Sequence, residues 1–487
     1  KTFHSYCFDL LGKIGNLEKS GDIIRQTIAA IQTGQVEPAR IAKAVVVIDE
    51  AQDMDADEYA LINVLAEQNP DMRIIAVGDD DQNIYEFRGS SSKHLEQLIS
   101  DKNAVMHQLV ENYRSKNNLV EFTNNFAKKI RRRLKKDPIV ARQAGSGKIR
   151  IIRYKSRNLI TPLVEDLLAT RLKGTTCVLT PTNEEALQVE GLLLENQIPA
   201  KLIQTNEGFN LYYLLEIRYF IDVLNVQDNT FIISEELWKA AKRSLWNEFR
   251  HSSKMDICIK MIKAFEAANP LKKYRSDFEV FVRESRLEDF SDAPGDVVFV
   301  STMHKAKGRE FDHVFLLLDH FDLLNDEKKR LLYVAMTRAK QNLAIHLNAD
   351  FMDDVDAHHL QRINNRETHL PPDQLVMHLT HKDIWLDYFI SRQHKISQLK
   401  SGDGLMVREN RCLDKTGAPV LIFSKSFSDK LDRFRQAGYT HVRATVNYIV
   451  YWQKEDLEKE IKIVLPELYL KKTRDEQEVA DYAERCP

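Results

Sequence analysis

Two short apolar runs that each end in acidic residues are the feature that most constrains the fold of this chain. The first, Ala44–Ile48, is mostly β-branched and precedes Asp49 and Glu50, and the second, Met72–Val77, precedes a glycine and three aspartates. Such runs are typical of strands buried on both faces of a parallel sheet. A helical pattern at Asp57–Glu67 separates them, and this order predicts an α/β fold with a site beyond the carboxyl ends of the strands.

The rest of the chain predicts a second α/β unit and a β-rich end. Helical segments are expected over about 92–137 and 210–290, and glycine-punctuated β-like runs with one helix near Ser428–Gln436 follow residue 375. The further predicted strands and helix are Lys148–Tyr154, Thr176–Leu179, Ala200–Gln204, Asp296–Val300, Asp312–Leu318, Asp326–Ala339 (the helix) and Asn342–Leu347.

Composition restricts the class of protein. The 487 residues suffice for two or more domains, and 70 Lys and Arg against 72 Asp and Glu argue against a simple basic nucleic-acid coat protein. A local positive groove stays compatible with this balance. The sequence has no apolar run of membrane-spanning length and no signal peptide. The five cysteines have no CxxC spacing and predict reduced thiols in a cytoplasmic protein.

The acidic pair Asp49-Glu50 suits nucleotide hydrolysis. One carboxylate can hold Mg²⁺, which prefers oxygen ligands, and the next can polarise an attacking water. The alternative is a strand end with solvated acids, which is the commoner explanation for an isolated acidic pair. The second strand end strengthens the first interpretation, because Gln82 could sense a γ-phosphate and Tyr85 and Phe87 could stack on bases. Aromatic residues there could equally belong to the core.

A basic segment, Lys128–Lys136, carries seven basic residues in nine. A solvated helix face and a phosphate-contacting surface explain it equally well. Near the C-terminus, Tyr439, Tyr448, Tyr451 and Trp452 could form a small nucleic-acid or partner surface, but the core of a small β domain is favoured.

The two acidic strand ends closely resemble motifs II and III of the UvrD/Rep/PcrA group of superfamily 1 helicases, as DEAQD and VGDDDQNIYEFRG. Four further segments resemble motifs of that group and occur in the order that it requires. They are Thr2–Ser5 (TFHS), Glu111–Ser115 (ENYRS), Ser301–Phe311 (STMHKAKGREF) and Leu332–Lys340 (LYVAMTRAK).

The resemblance implies an ATP- and Mg²⁺-dependent 3′→5′ DNA helicase that moves on single-stranded DNA, in repair or recombination. Asp49 would hold Mg²⁺ and Glu50 would be the catalytic base. Gln82 would contact the γ-phosphate and the attacking water, and Arg114 and Arg338 would be arginine fingers from the second motor domain.

The remaining implied roles concern the nucleotide sugar and DNA. Glu310 would face the sugar of the nucleotide. The residues that would line the single-stranded DNA path are Phe3, His4, Tyr85, Phe87, Arg88, Thr302 and His304.

The implied fold is two RecA-like parallel-sheet motor domains, the first incomplete, with reduced helical insertions and a small β-rich C-terminal domain. The predicted boundaries are 1–105 for the first motor domain, 106–350 for the second with a helical insertion at about 210–290, 351–375 for a linker, 376–470 for the β-rich domain and 471–487 for a tail.

The phosphate-cradling loop of that group, GxxxxGK followed by Ser or Thr, is absent from the sequence. Gly145–Lys148 resembles it superficially, but Arg142 and Ile149 stand where a glycine and a Ser or Thr are needed, and a turn before a strand is predicted instead. Two accounts remain. Either the chain is a fragment whose partner is an N-terminal part of the same polypeptide, or the protein is a single-stranded DNA-binding or scaffold module that has lost its ATPase. The retained catalytic set favours the fragment, which alone should have little ATPase.

Overall fold

The structure, a computed structural model, describes residues 2–11, 22–86, 89–156, 158–170, 173–203, 210–224, 232–285, 290, 297–453 and 459–472. The chain forms two compact units. The first unit comprises Lys1–Arg153 and Ala306–Asn364, and the second comprises Tyr154–Lys305 and Asn365–Pro487. The domain boundaries given above remain predictions.

The helices and strands of the described residues follow in chain order. The α-helices are α1 (Phe3–Leu11), α2 (Ile23–Gln32), α3 (Pro38–Ile41), α4 (Ala56–Gln68), α5 (Ser92–Asp101), α6 (Asn117–Ala127), α7 (Ile160–Ala169), α8 (Asn183–Glu195), α9 (Leu215–Val223), α10 (Glu235–Phe249), α11 (Met255–Ala268), α12 (Arg275–Glu284), α13 (Asp326–Met336), α14 (Gln393–Ile396) and α15 (Lys425–Gln436). The strands are β1 (Val45–Ile48), β2 (Arg73–Ala76), β3 (Glu111–Lys116), β4 (Val140–Gln143), β5 (Lys148–Tyr154), β6 (Thr176–Thr180), β7 (Ala200–Leu202), β8 (Ile232–Ile233), β9 (Lys273–Tyr274), β10 (Val298–Thr302), β11 (Phe311–Leu318), β12 (Ala339–Leu347), β13 (Leu360–Asn365), β14 (Gln374–His378), β15 (Gly404–Arg408), β16 (Arg411–Leu413), β17 (Pro419–Ile422), β18 (Tyr439–Trp452) and β19 (Ile461–Lys472).

The predicted strand–helix–strand arrangement near the start of the chain is present in the first unit. β1 and β2 pair in parallel, with Val47 opposite Ile75, and α4 connects them along the chain. A capping box begins α4: the Asp55 side chain accepts a hydrogen bond from the Glu58 backbone, and the Glu58 carboxylate accepts one from the Asp55 backbone. Two N–H groups that the helix itself leaves unpaired are thereby satisfied.

One face of the β1–β2 pair is exposed, so the prediction of burial on both faces is wrong for the described residues. Ile48 lies in the core beneath the pair. Val45, Val47, Ile75 and Val77 are 47–64% exposed. A continuous apolar run shows only that apolar side chains lie on both faces of the sheet. It does not show which face is covered by other elements.

The prediction of helices over about 92–137 is correct for α5 and α6 and wrong elsewhere. Residues 111–116 form β3, which pairs in parallel with β4. The basic segment contains no helix. Ile130 is buried, Arg133 and Lys135 form ion pairs away from the segment, and Pro138 follows it. A proline also disfavours helical angles at the residue before it, here Asp137.

The first unit also contains the predicted strands that follow the basic segment and motif V. β12 lies between β5 and β11 and pairs in parallel with both. Nearly all of β11 is buried, as expected of a strand in a covered parallel sheet. α13 lies between β11 and β12 along the chain, and Leu331–Met336 of this helix are all buried.

In the second unit, β10 lies between β6 and β7 and pairs in parallel with both. α8 packs against β6, β10 and β14. Gly191 of α8 lies close to β14, because a Cβ at this position would lie 3.1 Å from the carbonyl oxygen of Gln374. A glycine therefore lets this helix approach the strand.

The C-terminal part of the second unit is an antiparallel sheet in the order β14-β19-β18-β15-β16-β17, with a long β18–β19 hairpin. It shares one hydrophobic core with helices α9 to α12: Trp238 and Phe265 belong to the same buried cluster as Phe389 and Leu468. The helices of residues 210–290 therefore depend on the C-terminal strands for burial.

The C-terminal aromatic residues belong to this shared core. Tyr439 is buried in it, and Tyr448, Tyr451 and Trp452 pack against it. The core interpretation of these side chains is therefore confirmed.

Four of the cysteines, Cys7, Cys177, Cys258 and Cys412, are free and buried, and Cys486 lies outside the described residues. Among the helices of the described ranges, none combines the length and apolar character that crossing a bilayer demands.

Candidate active site

The carboxyl ends of β1 and β2 lie side by side and bring the two acidic motifs together. The N–H of Val77 donates to the carbonyl of Ile48 at 2.8 Å, and the N–H of Ala51 donates to the carbonyl of Val77 at 2.9 Å. These bonds continue the parallel ladder past the strands. The segment after β1 therefore lies beside the segment after β2, as the sequence predicted for this edge.

Asp49 and Glu50 are both exposed at this edge. The Asp49 Oδ1 accepts a hydrogen bond from the Glu50 N–H at 3.0 Å, and Glu50 adopts left-handed backbone angles, with φ of 53°. An exposed carboxylate at a strand end fits a Mg²⁺ ion, which keeps several waters and needs only one or two protein carboxylates beside nucleotide phosphates. Asp49 would hold this ion, and the ion would neutralise phosphate charge.

Gln52 connects the two motifs, a role that was not predicted from the sequence. Its side chain is buried; Nε2 donates to Glu50 Oε2 at 2.6 Å and Oε1 accepts from the Asp79 N–H at 2.9 Å. A Cβ on Gly78 would lie 2.7 Å from that Oε1. The glycine therefore leaves the space that the amide occupies between the strand ends.

Gln82 contacts groups from two different motifs. Its Nε2 donates to Asp79 Oδ2 at 2.8 Å, and its Oε1 accepts from Nη2 of Arg338 at 3.2 Å. The two bonds assign opposite ends of the amide to an acid and a cation. The structure thus brings together Gln82 and Arg338, which the sequence analysis predicted for the same site.

Arg338 is 2% exposed and is held by backbone groups as well. Its Nε donates to the Val334 carbonyl at 2.9 Å and its Nη1 to the Arg309 carbonyl at 3.3 Å. Burial, with the nearby charge of Arg114, lowers the pKa of Arg338 to about 10. The guanidinium stays charged at neutral pH and is oriented in advance, which is what stabilising phosphoryl-transfer charge requires.

Arg114 forms an ion pair with Glu310 through Nε and Oε1, and Nζ of Lys340 lies 3.3 Å from the other Glu310 oxygen. Burial alone would raise the pKa of Glu310, but the two cations outweigh it and hold this pKa below its usual range. Arg114 stays about one-third exposed. The predicted finger and the predicted sugar contact are therefore neighbours in the first unit.

Lys307 is a further cation of this site. Its Nζ lies 2.5 Å from Asp53 Oδ2 and 3.4 Å from Glu50 Oε2, and it donates to the Gln82 carbonyl at 3.0 Å. Burial raises the pKa of Asp53, although Lys307 opposes this shift. Lys307 lies within the segment that resembles motif V, but only the fold reveals that it faces the acids of motif II.

The residues predicted for the DNA path have different surroundings. Phe3 packs against the cores beneath α1 and β1, and His4 is half-buried beside it. Tyr85 is half-buried, with Lys307 Nζ 5.2 Å from its ring centre. Phe87 and Arg88 lie outside the described residues.

Thr302 and His304 belong to the second unit, at the end of β10. Thr302 is buried, and its hydroxyl accepts from the Lys305 N–H at 3.4 Å; His304 is half-buried. Lys305 itself donates to Asn183 at 2.9 Å.

The turn Gly145–Lys148 connects β4 to β5, whereas a phosphate-cradling loop would lead from a strand into a helix. The N–H of Gly147 is occupied by Asn118 Oδ1 at 2.7 Å, and a Cβ on Gly147 would overlap the Gln341 carbonyl at 1.9 Å. This turn packs closely against its neighbours, as predicted for a turn before a strand.

Comparison with known families gives two matches. A model described as the UvrD-like helicase C-terminal domain matches residues 107–233 and 231–350, and one described as the UvrD/REP helicase N-terminal domain matches residues 20–103. The matched ranges include the acidic strand ends and the segments that carry Arg114, Glu310 and Arg338.

Several curated proteins are similar to this chain. YjcD of Bacillus subtilis is 25% identical over 397 residues, covering 63% of this chain and 52% of that protein. DNA helicase II of Haemophilus influenzae is 21% identical over 437 residues, covering 66% of this chain and 59% of that protein. ATP-dependent DNA helicase UvrD1 of Mycobacterium leprae is 30% identical over 228 residues, covering 43% and 28%. The chain thus spans between one half and three fifths of the length of the first two relatives.

A solved structure, the C-terminal domain of a possible DNA helicase from Lactobacillus plantarum, aligns with 52% of this chain and 98% of its own length, at 14% identity and a TM-score of 0.27. A score this low gives no basis for comparing the two folds.

Proposed function

Because the chain belongs to the UvrD-like helicase family, we propose that it is the motor core of an ATP-dependent 3′→5′ DNA helicase or translocase. It would couple ATP hydrolysis to movement on single-stranded DNA, in repair or recombination. ATP and Mg²⁺ are the proposed cofactors.

The observation that carries the proposal is the contact of Arg338 with Gln82 beside the two acidic strand ends. The buried guanidinium lies 3.2 Å from the Gln82 amide oxygen, and Gln52 joins Glu50 to the loop that carries Gln82. With Asp49 beside Glu50 in the sequence, the proposed set is a charge-stabilising donor, a water-orienting amide and two carboxylates. Phosphoryl transfer is catalysed mainly by positioning and by neutralising charge, and this set supplies both.

In the proposed reaction, the Glu50 carboxylate accepts a proton from the attacking water. Gln82 orients that water and Arg338 and Arg114 stabilise the charge that develops on the γ-phosphate. Mg²⁺ on Asp49 would neutralise the phosphates. Glu310 would bind the nucleotide sugar in this state.

The proposal also includes a partner within the same polypeptide. Hydrolysis requires a phosphate cradle of the GxxxxGK type, and these 487 residues do not contain that pattern. The exposed apolar face at Val45, Val47, Ile75 and Val77 is a surface that such a segment would cover, because a two-stranded parallel sheet is rarely stable with one face in water. An N-terminal part of the polypeptide is the proposed occupant, and this chain alone should hydrolyse little ATP.

The experiment measures ATP turnover with and without single-stranded DNA, on the native gene product and on this 487-residue chain. Glu50→Gln in the native product should lower turnover by about 10²–10⁴-fold, because the base is lost, while DNA affinity is kept. Glu96→Gln is the matched control, since Glu96 is exposed on α5 of the same unit.

Two results would contradict the proposal. Turnover that survives Glu50→Gln would remove Glu50 as the base. A native product that binds single-stranded DNA but never hydrolyses ATP would favour the alternative function, a helicase-like binding or scaffold module.

Polarity is tested separately with partial duplexes that carry either a 3′ or a 5′ single-stranded tail. Unwinding of the 3′-tailed duplex alone is expected. Unwinding from the 5′ tail would overturn the proposed direction of movement.

A further inference from the structure

We propose that Lys135, in the basic segment, is a positioning residue that acts through Asp79 to fix the orientation of the Gln82 amide. This inference rests on the proposed function for its catalytic consequence. The sequence left two explanations for the basic segment, a solvated face and a phosphate-binding surface. The contacts of Arg133 and Lys135 support neither explanation, because both side chains form ion pairs within the protein.

The basic segment binds the acidic loop after β2 at three consecutive positions. Arg133 forms a bidentate pair with Asp81, with Nε–Oδ1 at 2.9 Å and Nη2–Oδ2 at 2.7 Å. The N–H of Leu134 donates to Asp80 Oδ2 at 2.6 Å. Nζ of Lys135 lies 2.6 Å from Asp79 Oδ1 and 2.9 Å from Asp81 Oδ2. Every aspartate of the loop is therefore engaged.

The loop aspartates are partly or fully buried, so these partners matter. The Asp81 side chain is fully buried, and Lys135 is 14% exposed. Burial alone would raise the pKa of Asp81, but Arg133 and Lys135 hold it below its usual value. A buried carboxylate that loses its cation is strongly destabilised.

Three adjacent aspartates could alternatively bind a metal ion. One oxygen from each of Asp79, Asp80 and Asp81 lies within 4.8 Å of the others. Arg133 and Lys135 already supply positive charge to this cluster, and they do so with the geometry of ion pairs. Two cations of the chain itself therefore balance much of the charge of these three aspartates.

A continuous line of hydrogen bonds connects Lys135 to the catalytic arginine. Lys135 holds Asp79 Oδ1, and the other oxygen of Asp79 accepts from Gln82 Nε2 at 2.8 Å. The Gln82 oxygen then accepts from Arg338 at 3.2 Å. An amide can rotate by half a turn and exchange its donor and acceptor ends. Asp79, fixed by Lys135, prevents that rotation, because only Nε2 can donate to a carboxylate.

Tyr333 of α13 completes the surroundings of Lys135. Nζ of Lys135 lies 5.6 Å from the centre of its ring. Tyr333 and Arg338 are five residues apart in the segment that resembles motif VI. Lys135 therefore contacts both the loop that carries Gln82 and the helix that leads to Arg338, and all of these residues belong to the first unit.

The first test is hydrogen exchange of the backbone amides of residues 80–83, measured on this 487-residue chain. Lys135→Met should speed exchange by about tenfold or more, since the loop loses a hydrogen bond between charged groups. Lys135→Arg should restore most of the protection. Lys136→Met is the matched control, because Lys136 is exposed in the same segment. Unchanged exchange in Lys135→Met would overturn the proposal.

A double-mutant comparison tests whether Lys135 acts through Asp79. In an Asp79→Asn background, Lys135→Met should add less exchange at residues 80–83 than it does in the wild type, because the contact with Asp79 is already lost and only the contact with Asp81 remains. Equal effects of Lys135→Met in both backgrounds would overturn the inference. If Lys135→Met does not fold, Asp79→Asn alone decides, since it must also speed exchange at these amides.

The effect on catalysis is measured as the ATP turnover of the native gene product. Lys135→Met should lower kcat by about tenfold or more, as misplacement of reacting groups does, with KM for ATP nearly unchanged, and Lys135→Arg should recover kcat. Equal loss in kcat for both variants would indicate a merely structural role. If the wild-type product hydrolyses no ATP, the proposed function fails, whereas the exchange measurements still decide whether Lys135 positions the Gln82 loop.

Discussion

Gln52 shows how much of this site depends on a single buried amide. It joins Glu50 to the backbone of Asp79 and lies against Gly78, so the spacing of the two strand ends is set by side-chain packing as well as by the ladder. Buried polar groups with all partners in place are costly to disturb. We therefore expect residues around Gln52 to affect both stability and catalysis.

Gly78→Ala should lower the free energy of unfolding by about 1–3 kcal/mol, because the added methyl group overpacks the site and forces the Gln52 amide to move. Urea denaturation measures this loss. Gly404→Ala is the control, since Gly404 has open space around its Cβ position and ordinary backbone angles. Equal midpoints for both variants would contradict the close approach of Gly78 to Gln52.

The sequence predicted the residues of this site whose chemistry is visible without a fold. Asp49, Glu50 and Gln82 follow strand ends, and two parallel strands bring their carboxyl ends to the same edge. Lys307 and Lys135 could not be predicted in this way, because a lysine gives no indication of its partner until the chain is folded. The roles of the predicted residues in catalysis and DNA binding stay predictions.

At the scale of elements, α4 carries a titratable group in its first turn. Glu58 closes the capping box, and burial raises its pKa to about 7, with Asp55 and Asp53 adding to the shift. The folded state therefore binds this proton more tightly than the unfolded state. Its contribution to stability is complete below the unfolded value of 4.5 and is lost as the pH rises through about 7.

The thermal unfolding midpoint of the chain should accordingly decrease as the pH is raised from 5 to 8, and Glu58→Gln should make this decrease smaller. Glutamine keeps the capping hydrogen bond but has no charge to bury. Thermal melts across this pH range provide the measurement, with Glu67→Gln, exposed on the same helix, as the control. An unchanged pH profile in Glu58→Gln would show that other groups cause the fall.

The elements that the sequence predicted best have strong local patterns. β5 agrees at both ends, and α4 agrees within one residue at each end. The basic segment failed as a helix because its charges bind acids elsewhere in the first unit, and local propensity contains no information about those partners.

At the scale of the whole molecule, the hydrophobic core of the second unit joins parts that the sequence suggested were separate. Helices from residues 210–290 and strands from residues 374–472 bury their apolar side chains in one cluster. Periodicity identifies which face of each element is apolar, but it does not identify the element that covers this face. The common core was therefore beyond prediction from sequence patterns alone.

Trp238→Ala should destabilise both parts together, by about 3–5 kcal/mol, because the ring is fully buried among Phe220, Phe265 and Phe278. Limited proteolysis should then cleave both the helices and the C-terminal strands faster. Trp246→Ala is the matched control on the same helix, since Trp246 is 51% exposed. Faster cleavage confined to the helices would argue against a shared core.

The left-handed backbone at Glu50 limits the substitutions that this position can accept during evolution. A β-branched side chain at φ of 53° and ψ of 39° would be sterically strained, whereas asparagine, aspartate and glycine adopt such angles readily. Descendants that lose the carboxylate should therefore drift toward small or amide side chains and seldom toward valine or isoleucine. The bend of the main chain would remain recognisable in them after the chemistry had been lost.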